Sequence, residues 1–202
     1  MNEPRVAIVI LAAGTSSRLG RPKQLLELDG EPLIRWTVRH AIAARAHEAV
    51  LVVGSRGDEI ALAAGDCGQR TVLNPDFAHG QSTSMVAGIQ ALGDHADAVI
   101  MMLGDQPTVR PSLLNRLIER FGEDQPAIVQ PRYSDGPGNP VLFAARMFPE
   151  LLDVKGDLGA REVIKRHRSD VVFVDIDSPA PPDVDSDADY ERLRGNWKPD
   201  QG

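Results

Sequence analysis

The chain has little cysteine, no long apolar run and a shortage of positive charge. One of its 202 residues is cysteine, Cys67, so no internal disulfide can form and a reduced compartment is expected. Cys67 sits in Ala64-Gly65-Asp66-Cys67-Gly68, where nothing nearby would generate a thiolate, and a catalytic thiol is not expected. No apolar stretch approaches the roughly 20 residues of a transmembrane helix. Met1-Asn2-Glu3-Pro4 leads straight into the first apolar run, which leaves no room for a signal peptide. These absences point to a cytoplasmic protein with no membrane contact. Lys and Arg number 22 against 29 Asp and Glu, a formal net charge of −7. A generally basic footprint for nucleic acid is therefore missing, and any anion site must be local. The five histidines lack the spacing of metal ligands; His40 and His47 could share a helix face, but no third ligand accompanies them.

What is present begins with a short apolar run, Val6 to Leu11, that reads as a buried parallel strand. It opens into Ala12-Ala13-Gly14-Thr15-Ser16-Ser17, and two cations, Arg18 and Lys23, stand at the far end. Small residues let backbone approach a ligand closely, and successive N–H groups in such a turn form a concave anion site. The loop reads as one that wraps a polyphosphate, with Leu11, Ala12, Ala13 and Gly14 supplying backbone and Arg18 and Lys23 supplying charge. An ordinary βα loop with two solvated cations has the same composition. Two better-known phosphate loops are excluded by spacing. Gly14 and Gly20 are too far apart for G-x-x-x-x-G-K-[ST], and G-x-G-x-x-G does not occur here.

Along the chain, strand-like runs at 49–53, 71–73, 98–103, 127–130 and 171–174 alternate with helical patterns at 31–46, 58–64, 82–92, 111–121, 144–152, 158–168 and 187–194; 141–143 is a short extended piece. Pro32 falls in the first turn of its helix, and Ser82 or Thr83 is the expected cap of the helix at 82–92. The alternation predicts one α/β domain over residues 1–194, with a mostly parallel sheet and helices on both faces. Residues 195–202 read as a loose end. In such sheets ligands bind beyond the carboxyl ends of the strands, which singles out the loops after Leu11 and after Leu103.

The second of these loops is Gly104-Asp105-Gln106-Pro107. An acid leaving a buried strand there is placed to hold Mg²⁺, which takes few protein carboxylates and fills its octahedron with phosphate and water. Asp-x-Pro sequences also simply turn chains. Asp-x-Asp-Ser occurs twice, at Asp175-Ile176-Asp177-Ser178 and at Asp183-Val184-Asp185-Ser186. These acids read either as ligands or as solvated turn carboxylates near a helix start.

The residues also carry a resemblance. Leu11-Ala12-Ala13-Gly14 through Arg18, Gly20 and Pro22-Lys23 is similar to the signature loop of the molybdenum cofactor cytidylyltransferases. Further matches follow in the family's order at Gly80-Gln81-Ser82-Thr83-Ser84, Gly104-Asp105-Gln106-Pro107, Gly138-Asn139-Pro140-Val141, Gly156-Asp157-Leu158-Gly159-Ala160-Arg161 and Asp183-Val184-Asp185-Ser186. The guanylyltransferase relatives typically read L-A-G-G where this chain has Leu11-Ala12-Ala13-Gly14, which favours the cytidylyl branch.

The resemblance implies a Rossmann-like nucleotidyltransferase that transfers CMP from CTP to the terminal phosphate of a molybdopterin-type cofactor and releases pyrophosphate. Arg18, Lys23 and Asp105 would carry the reaction, and Asp105 with Asp185 would hold Mg²⁺. Asp183-Val184-Asp185-Ser186 fits the family's position before the last helix, leaving Asp175 and Asp177 as the decoy. Asn74, Gly80 and Ser82 would meet the base, where neutral hydrogen bonds discriminate. Asn139, Pro140, Asp157 and Arg161 would face the acceptor; Arg161 reads equally as an exposed helix arginine. A molybdenum hydroxylase is the expected partner downstream. A guanylyl or sugar-1-phosphate transferase is the alternative within the class, and a non-catalytic cofactor carrier is the alternative outside it.

Overall fold

The computed structural model describes residues 3–14, 19–156 and 159–198. Strand β1 (Val6–Ala12) is apolar throughout and lies mid-sheet, covered on both faces. After it come the two-residue strands β2 (Glu27–Leu28) and β3 (Glu31–Pro32), helix α1 (Leu33–Ala43), β4 (Glu48–Val53), α2 (Gly57–Ala64) and β5 (Arg70–Leu73). The next group is α3 (Gln81–Leu92), β6 (Ala98–Leu103), α4 (Pro111–Asp124), β7 (Ile128–Tyr133), β8 (Gly136–Pro137) and β9 (Val141–Ala144). The chain then runs through α5 (Phe148–Leu152), α6 (Arg161–Arg166), β10 (Val171–Asp175) and α7 (Asp187–Asn196).

The sheet order is β10-β7-β9-β6-β1-β4-β5, with β8 on β7. β1 pairs in parallel with β4 and β6, while β9 runs antiparallel between β6 and β7. The expected mostly parallel α/β sheet with helices on both faces is therefore present. The chain builds outward from β1 on one side and then returns to its other side at β6. That reversal of strand order lies between the carboxyl ends of β1 and β6, where a crevice forms.

Side chains alternate across β1. Ile8 and Ile10 face one core with Ile34 and Val38 of α1 and Leu114, Leu117 and Phe121 of α4. Ala7 and Val9 face a second core with Met85, Ile89 and Leu92 of α3 and Leu151 of α5. A third, smaller core holds Leu26, Leu28, Leu33, Val184 and Leu193, with Trp36, Tyr190 and Trp197 packed against it.

Several expected boundaries move for local reasons. Helix α1 starts at Leu33 because Glu31 and Pro32 pair with β2 across an Asp29-Gly30 turn in which both residues have positive φ. Helix α3 starts at Gln81, with Gly80 before it at φ +105°, and has no side-chain cap. Thr83 instead donates back to the Gly80 carbonyl at 2.8 Å. Strand β9 runs to Ala144, so helix α5 begins only at Phe148. The expectation of a loose end from Gly195 is corrected for 195–198: α7 continues to Asn196, and Trp197 packs on Trp36 with ring centroids 5.1 Å apart. No helix among the described residues is long and apolar enough to cross a membrane.

Gly88 lets α3 lie against the sheet, because a Cβ there would collide with Val9 and crowd Val52. Gly88→Ala gains about 1 kcal/mol of helix propensity but overpacks a close-packed interior at a cost of about 1–3 kcal/mol. The expected net result is destabilisation, read as a lower urea midpoint at an unchanged m-value. A raised midpoint would contradict the packing account.

Candidate active site

The crevice between β1 and β6 is tight at its floor. The Gly104 N–H donates to the Leu11 carbonyl at 2.9 Å, and a Cβ on Gly104 would stand 2.9 Å from that of Ala12. The phosphate-type loop leaves β1 at Ala13-Gly14. Its centre, residues 15–18, lies outside the described residues, and with it Arg18; Asp157 is likewise outside them. The loop returns through Pro22 into a single 3₁₀ turn, Lys23–Leu25. Gln24 anchors that return by donating from Nε2 to the Ala12 carbonyl at 3.4 Å.

Lys23 is the hub. Its Nζ lies 2.5 Å from Oδ2 of Asp105 and 3.1 Å from Oδ1 of Asp185. Desolvation alone would pull the ammonium pKa down. The charges and hydrogen bonds of Asp105 and Asp185 together outweigh it and hold the pKa above its ordinary value. Asp183 completes the group and accepts a 2.8 Å hydrogen bond from Gln106 Nε2. Partial desolvation, followed by the charge of Asp105, pushes the Asp183 carboxyl above the usual carboxylate range.

A cleft of about 420 Å³ stands over this cluster and brings together Leu11, Ala13, Gly14, Lys23, Gly80, Asp105 and Asp185. It also contains Gln24, Phe77, Gln81, Ser84 and Asp183. A smaller cavity of about 130 Å³ adjoins it and shares Leu11, Gln81, Leu103 and Asp183. Asn139 and Arg161 line this second cavity with Met85, Met101 and Phe143. Pro140 is buried behind Asn139, across a cis peptide bond. The Tyr133 hydroxyl fixes that turn by donating to the Asn139 carbonyl at 2.6 Å.

Three expected cleft residues take other positions. Ala12 turns its side chain into the core beside Ile34 and offers only its carbonyl. Ser82 lines a separate groove of about 670 Å³ on the outer side of α3, and Ser84 faces the cleft in its place. Two residues of helix are about 200° of rotation, so Ser82 and Ser84 cannot share a face. Asn74 stands behind the wall, donating from Nδ2 to Thr83 at 2.9 Å and to Ser84 at 3.0 Å. It also accepts from the Asp76 N–H at 3.0 Å. Sequence reasoning placed Gly80 to Ser84 at the base as a segment, with Ser82 singled out from it, and missed Gln24, Phe77 and Gln106. Helical spacing from Gly80 could have singled out Gln81 and Ser84, which are three residues apart on one face.

The donors suit a hard divalent cation. Three carboxylates against one ammonium leave the cluster formally two charges negative. Among the described residues the Oε1 atoms of Gln24 and Gln106 are buried without a hydrogen-bond partner, and amide and carboxylate oxygens are the ligands Mg²⁺ and Mn²⁺ prefer. Among the described residues, no three His, Cys, Asp or Glu side chains form a ready-made metal cage. The arrangement fits an ion held by one or two carboxylates and completed by its substrate's phosphates.

A parallel sheet with a small-residue loop, a lysine and carboxylates at its switch point defines a class of α/β nucleotidyltransferases. The family model for the MobA-like NTP transferase domain matches residues 8–171, and the chain belongs to that family. Among its relatives is the nicotine blue oxidoreductase of Paenarthrobacter nicotinovorans, 29% identical over 94% of this chain and 97% of that protein. The molybdenum cofactor cytidylyltransferase of Escherichia coli is 26% identical over 67% of this chain and 68% of its own length. The solved structure of Rv0371c from Mycobacterium tuberculosis superposes with a TM-score of 0.87 at 31% identity, covering 97% of this chain and 100% of that one. The same protein has been solved as a manganese complex, which superposes with a TM-score of 0.84 at 30% identity over 96% of this chain and 100% of that one.

Lys23 occupies the space between the carboxylates that a divalent ion would take. Lys23→Ala should therefore strengthen binding of Mn²⁺ alone on the order of tenfold, since a like charge within a few ångströms is removed. Titration calorimetry without nucleotide checks this. Unchanged or weaker binding would show that the ammonium does not compete for the carboxylates.

Proposed function

We propose that this protein transfers CMP from CTP to the terminal phosphate of a molybdopterin-type cofactor, with release of pyrophosphate. The observation that carries the reading is the pair of adjoining cavities that meet at Leu11, Gln81, Leu103 and Asp183, with the Lys23–Asp105–Asp185 cluster in the larger one. One cavity suits a nucleotide and the other an acceptor. The relative named a molybdenum cofactor cytidylyltransferase supports the choice of acceptor.

The acceptor phosphate is already an anion at neutral pH, so the reaction needs no general base. The protein's share is positioning and charge stabilisation. Backbone groups of Leu11, Ala13 and Gly14 bring the triphosphate against the sheet end. Lys23 turns from Asp105 and Asp185 towards the leaving pyrophosphate, and Arg18 joins it from the loop. Asp105 and Asp185 would hold the divalent ion, which would supply positive charge against the triphosphate. Asn139 and Arg161, with Asp157 and the turn at Pro140, hold the acceptor. The finished cofactor is then available to a molybdenum hydroxylase.

Choice of base rests on the cleft wall. Ala13 is buried, and its Cβ stands 2.8 Å from where a Cβ on Gly54 would sit, with the Cβ of Phe77 at 2.6 Å. Ala13 lines the cleft with Phe77, and its methyl leaves less width than a glycine at position 13 would, which favours a pyrimidine over a purine. Ser84 and the backbone at Gly80 offer hydrogen bonds to a polar base edge.

The deciding experiment offers the four NTPs with purified molybdenum cofactor and reads the product by mass. CTP should exceed GTP by roughly a hundredfold or more in kcat/KM. A dominant GMP product would overturn the base choice. Binding of a nicotinamide dinucleotide with no nucleotidyl product would overturn transfer itself. In the same assay Asp105→Asn should lower turnover by at least about a hundredfold with the fold retained. Near-normal turnover would remove Asp105 from the metal site.

A further inference from the structure

Asp183-Val184-Asp185 passes the cleft in a segment without regular secondary structure. The two acids line the cleft while Val184 between them is fully buried in the small third core. Burial of Val184 thus anchors this segment with both flanking carboxylates at the cleft. The segment that follows is secured by packing well away from the cleft. Ser186 and Asp189 form a reciprocal capping box at the start of α7. The Tyr190 hydroxyl donates to the Glu27 carbonyl at 2.6 Å. Trp197 meets Trp36 edge to face at 5.1 Å, and the Arg110 guanidinium lies 5.1 Å over its ring. Trp36 is itself fixed by a 3.0 Å bond from its indole N–H to the Leu28 carbonyl.

The partners of this strap are Leu26, Leu28 and Leu33, which directly follow Lys23 in the chain. Lys23 and the two strap acids, Asp183 and Asp185, are thus set by one small core, distinct from the two cores on the faces of the sheet. A core of this size opens more readily than the whole fold. We infer that the C-terminal strap, anchored by Tyr190 and Trp197, positions Asp183 and Asp185 for the divalent ion, so that residues touching neither ion nor substrate set the metal affinity of the site. The inference rests on the reading that Asp185 holds the metal, and the experiment separates the two.

Mn²⁺ binding to the full chain is measured by calorimetry without nucleotide, beside a thermal melt for each variant. Trp197→Ala should weaken Mn²⁺ about tenfold or more, the scale of losing a group that orients a ligand. Trp197→Phe keeps an aromatic edge against Trp36 and should stay within about threefold of wild type, which a loss of ligand orientation would exceed. Tyr190→Phe removes only the bond to Glu27 and should weaken Mn²⁺ measurably with an unchanged melt; it decides the matter if Trp197→Ala does not fold. The only two tryptophans of the chain are Trp36 and Trp197, so intrinsic fluorescence should change as Mn²⁺ is added and should lose that response in Asp185→Asn. If Asp185→Asn weakens Mn²⁺ while Trp197→Ala and Tyr190→Phe bind it normally, the strap has no positioning role. If Asp185→Asn binds Mn²⁺ as wild type does, the metal assignment fails and the role of the strap fails with it.

Discussion

The ammonium of Lys23 between Asp105 and Asp185 is the contact on which the site depends. Three distant pieces of chain meet there: the return of the loop after β1, the end of β6 and the strap before α7. Each piece carries charge that would repel or disperse without the others. Half-burial makes the ion pairs stronger than surface pairs and makes any unpaired member costly. The cluster is also unbalanced, with more negative charge than one lysine offsets. That imbalance makes the site receptive to a divalent cation and, with it, to the anionic chain of a triphosphate.

The sheet makes this meeting possible. β1 and β6 are neighbours in register, Leu11 opposite Leu103, so their loops open side by side. Gly104 closes the floor between them because no side chain fits against Ala12 and the Leu11 carbonyl. Helix α3 crosses the other face, brought close by Gly88, and carries Gln81 and Ser84 to the cleft. Asn74 then ties α3 to the end of β5 through Thr83 and Ser84. The α3 wall of the cleft is thus braced from behind by a residue that does not line it. The smaller adjoining cavity is built differently, from an antiparallel strand and the turn that leads into it, closed by Tyr133 on the Asn139 carbonyl.

Much of this was legible along the chain, for physical reasons. Continuous apolar runs such as Val6 to Leu11 and Ala98 to Leu103 can only be strands buried on both faces. Their alternation with amphipathic segments dictates a parallel sheet, and the small residues and lysine after the first run mark its ligand loop. Asp105 stood out because it leaves a buried strand at the carboxyl end of the sheet, whereas Asp185 precedes a helix start, where acids are common for electrostatic reasons, and only the resemblance singled it out. Boundaries were less legible where neighbours compete. Pro32 suits a helix start or a strand end, and only pairing with β2 decides between them. Ser82 has the chemistry of a cap and of a base contact, yet α3 has no side-chain cap and its rotation turns Ser82 into a separate groove.

The sequence by itself determined the fold class, the carboxyl-end location of the site and the chemical kinds of group found there, because these follow from local periodicity and residue chemistry. The tertiary structure alone decided which groups meet. Asp183 and Asp185 are remote from Lys23 along the chain, and nothing local sets their distance to it. Gln24 and Gln106 acquire oxygens that are buried and unpartnered among the described residues only once the crevice encloses them. Trp197 looks like part of a polar tail until Trp36 and Arg110 give it a surface to pack on. Contacts between segments far apart in sequence depend on how the sheet orders its strands, and that order is a property of the packed molecule rather than of any stretch within it.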